Sequence, residues 1–334
     1  MTLDLNIVVL EDNDMGKKVF ITGITGFAGS HFADYLVSTR KYEVYGTYLN
    51  KSSLVNVSGI QDKISLSELD LQNAEETGRI IEDISPDYIV HLAALPGVGD
   101  SLEKPKETLI NNILVQLSVL EAVRKAKLQQ TRIIIVTSAD VYGKVAEKDI
   151  PIDEDTPFMP TNPYAVSKIT QDYLALQYFL SYQLNIIRVR PFNHFGPRQR
   201  VGFVIADFAK QVADIEKGLV KPVMHVGNLE TKRDFTDVRD IVRAYALLLE
   251  GGEAGEVYNI GSGKSYKIKD ILNTLITLAK VPITIETDDN LVRSADAVDR
   301  VCDSSKFRAL THWDPTISLE KSLQDTLDYW RNIV

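Results

Sequence analysis

Short apolar runs alternate with longer amphipathic stretches over the first 190 residues of the chain. The β-type runs cover residues 19–22, 44–48, 88–92, 133–137 and 185–190, and the helical stretches cover 27–39 and 109–126 and resume near Pro163. Runs rich in β-branched residues that precede amphipathic segments indicate strands connected by helices. This alternation predicts an α/β protein with a doubly wound parallel sheet that carries helices on both faces.

The pattern changes after Pro191, where polar loops surround a helical stretch at 203–217 and an apolar run at 223–226. Apolar character returns at 238–249 and 257–260, so we expect the chain to rejoin the sheet. We therefore predict a larger domain at 17–192, rejoined at about 231–262, and a smaller α/β lobe formed by 193–230 and 263–334. Residues 1–16 form an N-terminal extension whose acidic flanks do not resemble an export signal.

Composition excludes several classes of function. The 334 residues carry 37 Lys and Arg against 46 Asp and Glu, and a net charge of −9 argues against nucleic-acid binding. No apolar stretch approaches the roughly 20 residues of a membrane span, so no membrane partner is expected. The single cysteine, Cys302, fits a reducing cytoplasm. The five histidines lack the spacing of metal ligands, so we predict no metal site.

A glycine-rich turn follows the first predicted strand. Gly23, Gly26 and Gly29 stand three residues apart where that strand gives way to the first predicted helix. Glycines so placed permit a tight turn, a close approach of the backbone to a pyrophosphate, and close packing of helix on strand. The turn predicts a Rossmann-type dinucleotide-binding domain. The expected cofactor contacts in the turn are Gly23, Thr25, Gly26, Phe27, Ala28 and Gly29.

The end of the second predicted strand bears on the choice of cofactor. An NAD enzyme usually places an acidic residue there to hold the ribose hydroxyls. Residues 47–53 contain no Asp or Glu, and they offer Asn50 and Lys51 instead. NADP is therefore favoured, with NAD as the alternative cofactor. The other interpretation of Lys51 is a solvated loop charge.

Two further segments lie at the same edge of the predicted sheet. Asp70 and Leu71 follow a β-like run, where Asp70 could lie against the adenine. Leu92, Ala93 and Ala94 follow a later strand, and their small side chains let the backbone pass close to the cofactor. We expect both segments to contact the cofactor.

Tyr164 and Lys168 stand four residues apart, which places them on the same face of a helix. An adjacent cation lowers the pKa of a phenol toward the range in which it can transfer protons. Ser138, at the end of a predicted strand, can donate a hydrogen bond to the same substrate oxygen. Asp140 has two interpretations, an additional acid or base that points into the site, or a turn residue. These four residues are the candidate catalytic group.

These motifs resemble the extended short-chain dehydrogenase/reductase family, which combines the glycine turn with Ser138, Tyr164 and Lys168. The resemblance runs from Lys18 to the C-terminus. It implies an enzyme whose Tyr164 and Lys168 also contact the nicotinamide cofactor and whose Asn112 supports the catalytic hydrogen-bond network. It also implies a cytoplasmic homodimer or homotetramer, built on helices near 109–126 and 164–184.

The second half of the chain resembles the family members that act on GDP-mannose derivatives. The likeness is carried by residues 190–197, 227–230 and 233–240. It implies a GDP-sugar substrate whose sugar contacts Ser138.

The same resemblance implies how the substrate's diphosphate is bound. Asn193, Arg233 and Arg293 would contact the diphosphate, and Asn228 would lie near the nucleotide. The proline that usually follows this last arginine is replaced by Ser294. Each arginine has a surface ion pair as its alternative interpretation.

The function hypothesis is reduction of the C4 keto group of a GDP-4-keto-6-deoxy-hexose. The alternatives are 4,6-dehydration of GDP-mannose and epimerisation at C4 of a nucleotide sugar, which use the same hydride chemistry. Dehydratases have Thr and Glu at the positions of Ser138 and Asp140, which favours the reductase. A non-catalytic dinucleotide sensor is a further alternative, although such proteins commonly lack the pair formed by Tyr164 and Lys168.

Overall fold

The computed structural model describes residues 16–288 and 299–334. The strands are β1 (Lys17–Thr22), β2 (Tyr42–Tyr48), β3 (Ile64–Glu68), β4 (Tyr88–His91), β5 (Arg132–Val136), β6 (Ile186–Pro191), β7 (Asn193–Phe195), β8 (Val223–Val226), β9 (Lys232–Asp237), β10 (Val257–Ile260), β11 (Ser265–Lys267) and β12 (Thr284–Thr287). The helices are α1 (Phe27–Thr39), α2 (Ala74–Ile84), α3 (Val98–Glu103), α4 (Pro105–Lys125), α5 (Pro163–Tyr182), α6 (Val204–Glu216), α7 (Val238–Gly251), α8 (Ile268–Thr277), α9 (Ser305–Thr311) and α10 (Leu319–Ile333). Residues 1–15, which make up nearly all of the expected N-terminal extension, lie outside the described residues.

The large sheet has seven parallel strands in the order β10-β6-β5-β4-β1-β2-β3. Alternate residues of β1 face opposite layers, so that Val19 and Ile21 pack with α1 and α7. Phe20 instead packs with α2, α4 and α5. This confirms the predicted Rossmann-type doubly wound sheet. The strand order reverses next to β1, where ligands bind at the carboxyl edge of such sheets.

The start of α5 follows from two residues that the sequence identifies. Asn162 accepts a hydrogen bond from the Ala165 amide at 2.8 Å, which satisfies one of the free donors of the first turn. Pro163 occupies the first helical position, where its missing N–H has no cost. Tyr164 therefore lies in the first turn of α5, beside the carboxyl edge of the sheet.

The smaller lobe contains the three-stranded sheet β11-β9-β7 and the parallel pair β12-β8. Its core is formed by the apolar faces of α6, α8 and α10. β9 belongs to this lobe, and the part of the chain that returns to the large sheet consists of α7 and β10. None of the helices within residues 16–288 and 299–334 combines the length and the apolarity that a membrane span requires.

A buried ionic cluster attaches α5 to the large sheet. Asp172 on α5 is fully buried, and its carboxylate accepts hydrogen bonds from Arg188 at 2.9 Å and from Arg190 at 2.8 and 3.1 Å. Arg190 also donates to the Tyr142 hydroxyl at 2.9 Å. One carboxylate thus fixes the position of the helix that carries Tyr164 and Lys168.

We expect Asp172→Asn to lower the free energy of unfolding by about 3–5 kcal/mol, because it leaves two buried guanidinium groups without their anion. Urea denaturation followed by circular dichroism measures this loss. The matched control is Glu107→Gln, since Glu107 lies 3.7 Å from Lys104 and both side chains are 65% exposed. The control should change stability by less than about 1 kcal/mol. Equal effects of the two substitutions would contradict the assigned role of Asp172.

Candidate active site

The glycine turn joins β1 to α1 and leaves little room for a side chain at Gly23 or Gly29. Gly23 has φ +69°, and a Cβ there would lie 3.1 Å from the Cα of Ala93. A Cβ on Gly29 would lie 2.3 Å from the carbonyl oxygen of Gly23. Gly26 precedes α1 and leaves the first turn without a side-chain cap. The exposed N–H groups at this helix N-terminus suit the phosphates of a dinucleotide.

Two of the other turn residues, Thr25 and Phe27, have side-chain partners beyond the turn itself. The Thr25 hydroxyl lies 2.7 Å from that of Ser53. Phe27 stacks on His194, with ring centroids 5.8 Å apart. These contacts attach the turn to the loop after β2 on one side and to β7 on the other.

The loop after β2 is closed by its own polar groups. Asn50 accepts a hydrogen bond from the Ser52 amide at 3.0 Å and caps the 3₁₀ helix Lys51–Val57. The ammonium of Lys51 lies 3.3 Å from Glu68 at the end of β3, and the two side chains are 74% and 51% exposed. Lys51 is therefore a surface residue with a carboxylate partner, at the edge where a ribose phosphate is expected.

The loops after β3 and β4 complete this edge. Asp70 is exposed and accepts a hydrogen bond from the Gln72 amide at 2.9 Å. Leu71 is buried in the layer beneath the sheet. Leu92 and Ala93 donate their amides to the Thr22 hydroxyl at 3.1 and 3.2 Å.

The segment after β4 therefore lies beside the glycine turn. Ala94 continues it and is also half-buried. The space left by the glycines, the uncapped helix start and the small residues at 93 and 94 together fit a dinucleotide. The contacts of individual residues with that cofactor remain predictions.

Asn112 connects two elements around this crevice. It is fully buried on α4, accepts a hydrogen bond from the Leu95 amide at 2.7 Å and donates to the Ser167 hydroxyl at 3.0 Å. The amide group thereby joins the loop after β4 to the first turns of α5.

Ser138, Tyr164 and Lys168 come together at the carboxyl edge. Ser138 follows β5, and its hydroxyl accepts a hydrogen bond from the Asp140 amide at 3.1 Å. Lys168 lies one turn beyond Tyr164, with its ammonium 5.8 Å from the centre of the Tyr164 ring. The same ammonium donates to the carbonyl oxygen of Val136 at 3.0 Å. The sequence-based grouping of these three residues agrees with their placement.

The protonation of Tyr164 differs from the expectation. Burial raises the pKa of Tyr164, the charge of Asp140 raises it further, and a hydrogen bond from Ser138 lowers it. The net pKa shift is thus upward, and the expected lowering by Lys168 stays a prediction. The Lys168 ammonium donates to Val136 and lies over the Tyr164 ring. Burial lowers the pKa of Lys168 itself to about 7. Burial and the charge of Asp140 thus favour the protonated form of the Tyr164 phenol.

Asp140 is held by a residue that sequence reasoning missed. The guanidinium of Arg300 donates to the Asp140 carboxylate at 2.6 Å and to the carbonyl oxygen of Gly143 at 3.2 Å. Asp140 and Arg300 are 160 positions apart, and no local motif connects them. Asp140 is therefore more than a turn residue, since its charge acts on Tyr164 and is paired with a cation.

The expected substrate residues lie mainly in the smaller lobe. Asn193 is exposed at the start of β7 and pairs in register with Phe235 of β9. Arg233, also on β9, is half-buried and donates to the Lys232 carbonyl oxygen at 2.7 Å. Asn228 accepts a hydrogen bond from the Glu230 amide at 2.9 Å. Arg293 lies outside the described residues, and the roles of all four remain predictions.

The family model described as GDP-mannose 4,6 dehydratase matches residues 20–326. The chain belongs to this family. The match spans both lobes and includes the glycine turn, Ser138, Tyr164 and Lys168. This family consists of enzymes, and its members share the Rossmann-type sheet described above.

Individual relatives within and around the family are similar over nearly their whole length. GDP-6-deoxy-D-mannose reductase of Pseudomonas aeruginosa is 34% identical over 96% of this chain and 99% of its own. GDP-mannose 4,6-dehydratase of Yersinia enterocolitica is 30% identical over 91% of each chain. The solved structure of Pseudomonas aeruginosa RMD with NADPH has a TM-score of 0.83 at 33% identity and covers 95% of this chain and 100% of its own.

We expect Gly29→Ala to weaken dinucleotide binding by at least about tenfold, because the overpacked turn must shift by an amount that typically costs 1–3 kcal/mol. Titration with NADPH and with NADH, followed by nucleotide fluorescence, measures the loss. Gly78→Ala is the control, since Gly78 is helical with open space around it. The control should bind as the wild type does and gain up to about 1 kcal/mol of stability. Unchanged affinity in Gly29→Ala would contradict the placement of the cofactor at this turn.

Proposed function

We propose that this enzyme reduces the C4 keto group of a GDP-4-keto-6-deoxy-hexose with NADPH. The observation that carries the proposal is the grouping of Ser138, Tyr164 and Lys168 at the carboxyl edge of the sheet, where the Tyr164 phenol can donate a proton. Reduction of a carbonyl needs a proton donor at its oxygen, whereas oxidation of an alcohol needs a proton acceptor. The similarity to the Pseudomonas aeruginosa reductase over 96% of the chain supports the same direction.

Each catalytic side chain has one task in this reaction. When bound beside the glycine turn, the reduced cofactor would supply the hydride that C4 receives. The Ser138 hydroxyl orients the substrate carbonyl by donating a hydrogen bond to its oxygen. Tyr164 donates its phenolic proton to the same oxygen as negative charge develops there. Lys168 would hold the nicotinamide ribose.

The substrate's diphosphate requires local positive charge in a protein of net charge −9. Arg233 and Asn193 lie on neighbouring strands of the small sheet, and Arg293 is the third proposed ligand. A guanidinium suits this task because its planar fork binds two phosphate oxygens at once. Asn228 would lie near the nucleotide.

The second candidate is the dehydratase reaction, which Asp140 favours by its presence near Tyr164. Dehydration needs a further acid or base to remove the C5 proton and release water from C6. Asp140 is the available carboxylate, and the Yersinia enterocolitica relative at 30% identity carries that activity in its name. The ion pair with Arg300 opposes this use of Asp140.

We also propose that the enzyme is a homodimer or homotetramer assembled through α4 and α5. Ile110 and Leu114 on α4 are at least 40% exposed, and so are Val166, Tyr173 and Leu180 on α5. Apolar side chains concentrated on two adjacent helices are typical of an association surface. We further propose that the enzyme is located in the cytoplasm.

Incubation with the 4-keto-6-deoxy product of GDP-mannose should oxidise NADPH in stoichiometric amounts, as measured by its absorbance. GDP-mannose itself should leave NADPH unchanged and should yield no keto sugar. Formation of keto sugar from GDP-mannose without NADPH would instead establish the dehydratase. A C4 epimer formed without net oxidation would establish the epimerase.

One test variant and one control variant accompany this assay. Tyr164→Phe should lose roughly 10²- to 10⁴-fold of the reduction rate, because a positioned proton donor contributes this much. Tyr182→Phe removes a hydroxyl from an exposed tyrosine at the other end of the same helix and should retain the wild-type rate. Full turnover in Tyr164→Phe would be incompatible with the proposed role of its phenol.

Replacement of Lys51 tests the choice of NADPH. Lys51→Gln should weaken NADPH binding by about tenfold and leave NADH binding unchanged, because one charge-assisted contact to the extra phosphate is lost. Lys63→Gln, at an exposed lysine at the opposite end of β3, is the control. Equal loss of affinity for both cofactors in Lys51→Gln would show that Lys51 does not bind the ribose phosphate that distinguishes NADPH from NADH.

A further inference from the structure

Arg300 lies in a short extended segment that is fixed from two sides. Its carbonyl oxygen accepts a hydrogen bond from the Asp234 amide at 3.0 Å, which attaches the segment to β9. The neighbouring Val301 carbonyl accepts from the Ile152 amide at 2.8 Å, and the Asp303 amide donates to the Ile152 carbonyl at 2.8 Å. The backbone on each side therefore has partners, and the guanidinium has a defined direction.

The guanidinium is directed at the catalytic turn. It donates to Asp140 at 2.6 Å and to the carbonyl oxygen of Gly143 at 3.2 Å, at the two ends of one turn. The side chains of Arg300 and Asp140 are only 15% and 27% exposed, so solvent screens their attraction weakly. The pair is thus a built contact between the smaller lobe and the turn that follows Ser138.

A free carboxylate at Asp140 would be a hazard for a reductase. The Asp140 amide donates to the Ser138 hydroxyl at 3.1 Å, so Asp140 lies beside the residue that is proposed to orient the substrate's C4 oxygen. The carbons next to C4 carry hydrogens that are acidified by the carbonyl. A carboxylate there can take such a proton, with the C–H electron pair forming an enolate, and later return a proton to carbon.

We propose that Arg300 is a specificity-determining positioning residue: its ion pair withholds the Asp140 carboxylate from C3 and C5, and so restricts proton transfer to the carbonyl oxygen. Arg300 itself touches neither the reacting carbons nor the oxygen. It acts through Asp140, which without this partner is a base adjacent to an enolisable ketone. The proposal rests on the reductase function proposed above.

Hydrogen exchange at carbon tests this proposal directly. Enzyme saturated with NADP⁺ is incubated in D₂O with the 4-keto-6-deoxy product of GDP-mannose, so that exchange is observed without reduction. The loss of the C3 and C5 proton signals is followed by NMR. Arg300→Gln removes the charge but keeps an amide donor for Gly143, whereas Arg300→Lys keeps the charge.

We expect slow exchange in the wild type and in Arg300→Lys. Arg300→Gln should exchange faster by at least about tenfold, given that a positioned base contributes roughly 10²- to 10⁴-fold. The double variant Arg300→Gln with Asp140→Asn should return to the slow rate, because the amide cannot accept the proton. A merely structural role of Arg300 would not produce exchange that depends on Asp140.

Lys306 lies a few residues after Arg300 in the chain, and its ammonium is 2.7 Å from the carboxylate of Glu256. Lys306→Gln removes this ion pair and is the matched control. It should exchange as slowly as the wild type. Exchange in Arg300→Gln no faster than in this control, with the variant folded by thermal melting, would overturn the proposal. The proposal would also be overturned if the wild type exchanged the C3 or C5 hydrogens as fast as it reduces the same ketone. This outcome does not depend on whether the variant folds.

The two proposals fail in different ways. If the wild type does not oxidise NADPH with this ketone, the proposed function has failed. If the wild type reduces the ketone but the charge-neutral variant exchanges no faster than the control, only the role of Arg300 has failed.

Discussion

The carboxylate of Asp172 is the contact on which the catalytic geometry depends. Tyr164, Lys168 and Asp172 stand at intervals of four on α5, so the proton donor, the ammonium and the anchor share one face of the helix. The anchor's partners, Arg188 and Arg190, stand two apart on β6 and point to one face of the sheet. The ionic contact therefore fixes both the rotation of α5 and its position along the strand. The ammonium of Lys168 then reaches the end of β5 and donates to Val136.

A second buried aspartate has the corresponding role in the smaller lobe. Asp234 accepts hydrogen bonds from the Ser262 amide and hydroxyl, from the Gly263 amide and from the Cys302 amide. These contacts join β9 to the loop after β10 and to the segment that carries Arg300. A buried carboxylate is costly unless it is fully hydrogen-bonded, and here the bonds also determine where a distant cation points. Asp172 thus positions the residues of α5, and Asp234 positions the segment that carries Arg300. Neither carboxylate has a proposed role in the reaction.

The parts of the molecule that could be predicted from the sequence are those whose signals are local. The glycine turn lies between a strand and a helix along the chain, and the Asn162-Pro163 pair marks the start of α5, so the placement of Tyr164 and Lys168 followed. The pairing of Asp140 with Arg300 could not be predicted, because it joins residues 160 positions apart through side chains alone. The raised pKa of Tyr164 could not be predicted either, because burial is its largest cause and burial is a property of the folded chain. The residue pattern of β9 is compatible with the large sheet and with the three-stranded sheet, so the sequence does not predict that β9 joins the smaller one.

Asp140 places two opposing demands on this site. Its negative charge adds to burial in raising the pKa of Tyr164, which suits a residue that is proposed to give a proton to an alkoxide. The same charge, unrestrained, would make a base next to acidified carbon. Pairing with Arg300 reduces the second effect more than the first, because proton removal requires contact with carbon whereas the electrostatic effect on the phenol acts at a distance. Under the proposed role of Arg300, the choice between reduction and dehydration on this Tyr-Lys pair depends on whether the Asp140 carboxylate is free to move.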